Sequence, residues 1–148
     1  MKKMIYLVML AFLGLSFTFS DSSSINKVNN QAQATGIKFE NISLDEAKKM
    51  AKSSGKIIFI DAYTEWCGPC KRMAATSFMD AEVGKLYNSK FINLKIEVEK
   101  TEDGKFIQRT YGIRAYPTLL YIDAEGNLKK SLVGLQTAEQ LIIAGKSL

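Results

Sequence analysis

The chain has 148 residues and a mass of 16.5 kDa; at 47% hydrophobic and 24% charged it has room for one domain with a core of its own. It contains no histidine and only two cysteines, which removes Cys-His nucleophile pairs and Ser-His-Asp triads, and leaves too few ligands for a closed structural zinc site. The formal charge of +5 includes Lys2 and Lys3; without them the basic excess is too small to point to nucleic acid or an anionic membrane as partner.

Lys2 and Lys3 precede an uncharged apolar run from Ile5 to Phe19. That run is shorter than the about 20 residues a membrane-spanning helix needs and suits the n- and h-regions of a secretory signal peptide. Residues 1–20 are therefore expected to be a signal peptide. Cleavage is expected after Thr18-Phe19-Ser20 or, at the better small-residue pattern Ala32-Gln33-Ala34, as late as residue 34. An uncleaved anchor facing the periplasm is the alternative to an exported, periplasmic protein. No cysteine stands just after the apolar run to carry a lipid. Residues 21–36 are polar and lack apolar periodicity, which predicts a flexible leader before a folded domain over residues 37–148.

Within that domain Ser43-Leu44-Asp45-Glu46 is a capping-box pattern, predicting a helix through about Lys52 that ends at Ser53-Ser54-Gly55. Ile57 to Ile60 is a run of strand formers suited to burial on both faces. Cys67 and Cys70 follow, in Trp66-Cys67-Gly68-Pro69-Cys70. Beyond them Lys71 to about Asn88 can be helical, with an interruption near Asp80. Phe91 to Val98 alternates as a second strand, and Thr101 to Tyr111 can form a helix ending at Gly112. Thr118–Ile122 and Leu128–Val133 flank a turn-rich linker and are expected to pair as a hairpin. Thr137-Ala138-Glu139-Gln140 is a second capping box, opening a short terminal helix. The order of elements predicts an α/β domain with one mixed sheet covered by helices.

Two cysteines separated by two residues close so short a loop that a structural staple would constrain the unfolded chain little. Reversible dithiol/disulfide exchange is the better use of them, and it requires no metal and no cofactor. The segment Asp61-Ala62-Tyr63-Thr64-Glu65-Trp66-Cys67-Gly68-Pro69-Cys70-Lys71 resembles the active-site segment of thioredoxins. Tyr111-Gly112-Ile113-Arg114-Ala115-Tyr116-Pro117-Thr118-Leu119 resembles the second signature of that family, around its cis-proline. Gly126 matches the hairpin-turn glycine and Gly134 the glycine beside the substrate groove. The likeness covers roughly residues 37–144 and implies a thioredoxin fold, with a mixed central sheet flanked by helices on both faces.

The resemblance also assigns roles. Cys67 would be the nucleophile, at a strand-to-helix junction where the helix N-terminus favours a thiolate; Cys70 would resolve the mixed disulfide. Asp61 occupies the position of a buried carboxylate that exchanges a proton with Cys70. Lys95 is either its ammonium neighbour on the facing strand or a solvated strand-edge lysine. Pro117 is expected to be cis, freeing the backbone of Tyr116 to pair with an extended substrate segment. Trp66, Gly68, Pro69 and Gly134 complete the expected substrate-contact set.

Two departures stand out. Ala75 replaces the proline that kinks the family's second helix, and the segment Ala74 to Ile96 runs long, similar to the C-terminal domain of transmembrane thiol reductases. Gly-Pro between the cysteines, with no imidazole to stabilise a thiolate, implies a low potential and a reductase. The partners expected are protein disulfides and a membrane thiol donor, with the chain itself a monomer. An oxidase or isomerase in the same compartment, or a non-catalytic peptide-binding module, are the alternatives.

Overall fold

A computed structural model describes residues 36–148; the expected signal peptide and the leader up to residue 35 lie outside the described residues. In chain order the elements are α1 (Leu44–Ser54), β1 (Ile57–Tyr63), α2 (Gly68–Ala75), a 3-10 turn (Ser77–Met79), α3 (Ala81–Lys90), β2 (Phe91–Glu97), α4 (Glu102–Tyr111), β3 (Thr118–Ile122), β4 (Leu128–Val133) and α5 (Ala138–Lys146). The four strands form one mixed sheet in the order β2-β1-β3-β4, with β1 parallel to β2 and antiparallel to β3. β3 and β4 form the expected hairpin, with a register shift at Tyr121/Ile122.

Both faces of the sheet are covered. One face packs Ile58, Ile60, Leu94 and Ile122 against Leu44, Ala47 and Ala51 of α1 and Ile107 of α4. The other packs Phe59, Leu119 and Tyr121 against Met73 of α2, Val83 and Tyr87 of α3, and Leu141 of α5. A central strand covered on both sides has no solvent face, which explains the unbroken apolar run at the start of β1.

β1 is longer than the apolar run predicts. It continues through Asp61, Ala62 and Tyr63, because those residues are paired on both sides, to Lys95–Glu97 of β2 and, for Asp61 and Ala62, to Leu119 and Thr118 of β3. Asp61 therefore sits inside a central strand and not at its end. β2 does not alternate as expected: all of it is buried except Lys95. Its outer edge is bridged in parallel by Glu40, whose N–H donates to the Asn93 carbonyl at 2.8 Å. Asn93 secures the same segment by donating its side-chain amide to the Lys38 carbonyl.

The interruption expected near Asp80 is present, and it is larger than a kink. α2 stops at Ala75 without any proline. Thr76 turns its hydroxyl back to the Arg72 carbonyl (2.8 Å), Phe78 drops into the core, and Asp80 then caps a new helix by accepting from the N–H groups of Glu82 and Val83. α2 also begins earlier than Lys71, at Gly68, since Pro69 lies in its first turn, where a missing N–H costs nothing.

Candidate active site

The loop from Thr64 to Trp66 carries the chain from the end of β1 to the start of α2. Its turn is closed by the Cys67 N–H donating to the Thr64 carbonyl at 3.1 Å. Cys67 is the N-cap of α2: its Sγ accepts from the Cys70 N–H at 3.1 Å. A sulfur in this position faces the unpaired N–H groups and positive dipole end of the helix, which stabilise negative charge on it. Cys67 and Cys70 are joined in a disulfide, with Cα atoms 5.4 Å apart. Both are nearly inaccessible, with relative exposures of 2%, so approach to the pair depends on the surface just above it.

Trp66 dominates that surface. It is 66% exposed, donates its indole N–H to Glu99 Oε2 at 2.9 Å, and meets the ring of Tyr116 edge-on at 5.7 Å. Tyr116 is held in turn through its hydroxyl by the Gln108 side-chain amide of α4 (3.0 Å). The Tyr116–Pro117 peptide is cis, as expected. Gly134 lies beside it: its N–H donates to the Pro117 carbonyl at 2.8 Å, and its φ of +84° is one that residues with a Cβ rarely adopt. The next turn is pinned by Gln136, whose side-chain amide donates to the Gly134 carbonyl at 3.1 Å. Trp66, Gly68, Pro69, Tyr116, Pro117 and Gly134 thus belong to the segments carrying and flanking the disulfide. Tyr116 contacts Trp66, and Gly134 contacts Pro117.

Within β1, six residues before Cys67, Asp61 is fully buried and accepts no hydrogen bond from the described residues. Burial pushes its carboxyl up to about 6, opposed by the Lys95 ammonium. Asp61 and Lys95 are register partners on β1 and β2, and Nζ stands 3.7 Å from Oδ2, an ion pair too long for a hydrogen bond. Lys95 thus combines the two readings: its ammonium neighbours Asp61, and its side chain is exposed on the edge strand β2. Lys95 keeps contact with solvent, through a cleft of about 380 Å³ that it lines with Asn41, Ile42 and Glu97. The carboxylate has no such outlet.

Several groups here carry no signal in the sequence. Glu99, Gln108 and Gln136 are ordinary polar residues in chain order, and only the tertiary arrangement brings them to Trp66, Tyr116 and Gly134. Glu97 is buried at the end of β2, with Oε2 accepting from the Lys100 N–H and Oε1 unpartnered by described residues. Two residues beyond Lys95 in one strand, it lies on the same sheet face; that it stands opposite Tyr63 is seen only in the strand register.

Chemically, the arrangement offers one two-electron couple, a helix N-terminus at its first sulfur, and a buried carboxylate with raised proton affinity on the strand that leads into it. Among the described residues there is no cluster of three or more His, Cys, Asp or Glu able to hold a metal.

Comparison with known proteins agrees with this arrangement. Residues 44–147 match the family described as Thioredoxin-like domain. The thiol:disulfide interchange protein DsbD of Colwellia psychrerythraea is 29% identical over 97% of this chain, which spans 24% of that protein. Thioredoxin-1 of Drosophila melanogaster is 35% identical over 53% of this chain and 67% of its own length. A solution structure from Bacteroides thetaiotaomicron, described as a candidate disulphide-isomerase, superposes with a TM-score of 0.67 at 42% identity, covering 76% of this chain and 95% of that one. Against DsbD this chain corresponds to about a quarter of the whole molecule.

Proposed function

The chain belongs to the thioredoxin-like domain family, and on that footing we propose that it is an exported protein-disulfide reductase working through the Cys67–Cys70 dithiol. The observation that carries thiol-disulfide exchange is Cys67 Sγ seated as the N-cap of α2 and accepting the Cys70 N–H, which suits it as the attacking thiolate. The reducing direction is supported by Gly68-Pro69 between the sulfurs, with no imidazole there to stabilise the reduced form further.

In the reduced protein the Cys67 thiolate attacks one sulfur of a substrate disulfide. A mixed disulfide forms and the substrate's other sulfur leaves as a thiolate that takes a proton from solvent. Asp61 accepts the Cys70 proton; the Cys70 thiolate then attacks Cys67 Sγ and expels the second substrate sulfur, which is protonated in turn. The substrate ends as a dithiol, and the two electrons it gained leave Cys67 and Cys70 joined. A thiol donor must then reduce that disulfide again. For a protein exported into an oxidising compartment the donor has to draw electrons across the membrane, and the relatedness to DsbD, a thiol:disulfide interchange protein, supports a donor of that class.

Trp66, the Tyr116 backbone and Gly134 are the proposed contacts for an extended substrate segment. Gly68 and Pro69 shape the turn between the sulfurs. Export rests on the apolar run from Ile5 to Phe19, and the monomeric state is part of the same proposal.

The test is the equilibrium potential of the Cys67–Cys70 pair, read by thiol trapping in defined dithiol/disulfide buffers. A value near or below about −230 mV is expected for a reductase. A second reading, oxidase or isomerase, is favoured by the description of the 42% identical Bacteroides thetaiotaomicron structure. A value of about −120 to −180 mV would establish it instead.

A further inference from the structure

The Lys95 ammonium has three near neighbours: Asp61 Oδ2 at 3.7 Å, the centre of the Tyr63 ring at 4.7 Å and the centre of the Phe39 ring at 6.0 Å. It makes no hydrogen bond within the described residues. A lysine on a flexible four-carbon stem, next to an open cleft, gains most of its hydration by swinging outward. Something must hold it over a carboxylate that is itself sealed from water. The two aromatic faces are suited to this, because a ring quadrupole attracts a cation without competing for its protons.

We propose that Tyr63 and Phe39 form an aromatic slot that keeps the Lys95 ammonium against Asp61, so that Tyr63 is a positioning residue setting the proton affinity of that carboxylate. Its consequence for catalysis rests on the reading of Asp61 as the proton acceptor for Cys70. The strand register makes the slot. Tyr63 and Glu97 pair across β1 and β2 two residues beyond Asp61 and Lys95, so all four side chains share one sheet face. Phe39 approaches from the segment that bridges the β2 edge. Tyr63 remains a neutral phenol in this setting, since burial and the negative charges of Glu97, Glu65 and Asp61 all oppose its ionisation.

The other charged or titratable groups around the pair are few. Glu97 lies on β2; Glu65 and Lys100 pair with each other at the strand ends. Lys38 and Glu40 pair at 3.8 Å on the edge segment. Cys67 and Cys70 of α2 are joined in the disulfide. On β3 the residues opposite Asp61 and Ala62 are Leu119 and Thr118, which carry no charge.

The experiment follows the Asp61 carboxyl by carbon-13 NMR across pH in the full-length oxidised protein. Tyr63→Leu should move the Asp61 titration upward by roughly half a pH unit or more, the equivalent of one partly desolvated cation–π contact. Tyr63→Phe, which keeps the ring, should leave it in place. Phe39→Leu should move it in the same direction by less, and serves if Tyr63→Leu does not fold. In a Lys95→Met background neither aromatic substitution should matter further. An Asp61 titration unmoved by Tyr63→Leu, or moved equally with Lys95 absent, overturns the slot. The rate of mixed-disulfide resolution, measured on the same variants, separates the two ideas. A shifted titration with an unshifted pH–rate profile supports the slot and instead overturns Asp61 as the proton acceptor.

Discussion

Asp61 is the residue at which stability and the proposed proton transfer oppose each other. In the unfolded chain its carboxyl titrates near 3.8, and in the folded protein burial raises this to about 6. The folded state therefore binds the proton more tightly. The stability associated with the neutral acid is full below pH 4 and is lost as pH rises through 6. Above that, the buried ionised carboxylate costs up to about 3 kcal/mol, since each unit corresponds to about 1.4 kcal/mol. Asp61→Asn should accordingly stabilise the oxidised protein at pH 7.5 by as much as about 3 kcal/mol, with the gain disappearing towards pH 4. Urea unfolding at the two pH values measures this directly. The same variant should resolve mixed disulfides at least about a hundredfold more slowly at pH 7.5, the lower end of what a lost general base costs. Equal stability of the two proteins at pH 7.5 would mean that the buried carboxylate is compensated in a way the Lys95 pair alone does not provide.

The break between α2 and α3 belongs to the scale of the element. Helix propensity across Lys71 to Asn88 favours continuation, and no proline stands at Ala75 to prevent it. The helix stops because the core takes Phe78, which packs its ring against Phe39 and Phe59 at 5.4 and 6.3 Å. Asp80 then restarts the helix by satisfying two N–H groups that would otherwise lack partners, at 2.9 and 3.0 Å. Asp80→Ala should cost about 1 kcal/mol, the usual worth of an N-cap, and should raise hydrogen exchange at the Val83 amide while leaving the disulfide's potential unchanged. A drop in the urea midpoint without faster exchange at Val83 would place the effect elsewhere. Ser77 ties the break to the active-site side, donating its hydroxyl to the Gln136 carbonyl at 2.7 Å, one residue beyond Leu135 and two beyond Gly134. The missing proline is thus replaced by a different device that leaves α2 as a short separate helix carrying the two sulfurs.

At the scale of the whole molecule, α3, β3 and α5 are joined by one buried polar contact. The hydroxyls of Tyr87 and Tyr121 lie 2.6 Å apart, and Tyr87 also donates to the Leu141 carbonyl at 2.9 Å. Burial raises both phenols, Tyr87 to about 12 and Tyr121 higher still. With folded values above the ordinary value of 10, the contribution of these neutral phenols is complete below pH 10 and is lost as pH climbs through 12. Tyr87→Phe should therefore cost about 1–2 kcal/mol at pH 7, where it removes a hydrogen bond and strips Tyr121 of its partner. The gap between variant and parent should narrow between pH 10 and 12, as seen by urea midpoints at pH 7 and pH 11. A gap that stays constant with pH would show that the pair is held by packing alone.

Much of this was legible in chain order because it depends on near neighbours. Capping boxes at Ser43 and Thr137, glycines at helix ends, the strand runs and the hairpin are local, and the described elements follow them within a few residues. The Trp66–Cys70 motif is local too: the spacing of two thiols defines the redox couple before any fold is known. The extent of β1 and the approach of Lys95 to Asp61 required the strand register, which couples residues more than thirty positions apart. The partners of Trp66, Tyr116 and Gly134 likewise converge only when separate elements pack. Sequence by itself thus determined what chemistry the thiols can perform. Tertiary structure alone decided which charges, rings and carbonyls surround them, because proton affinity and access depend on what is brought close and sealed from water, and not on what is adjacent along the chain.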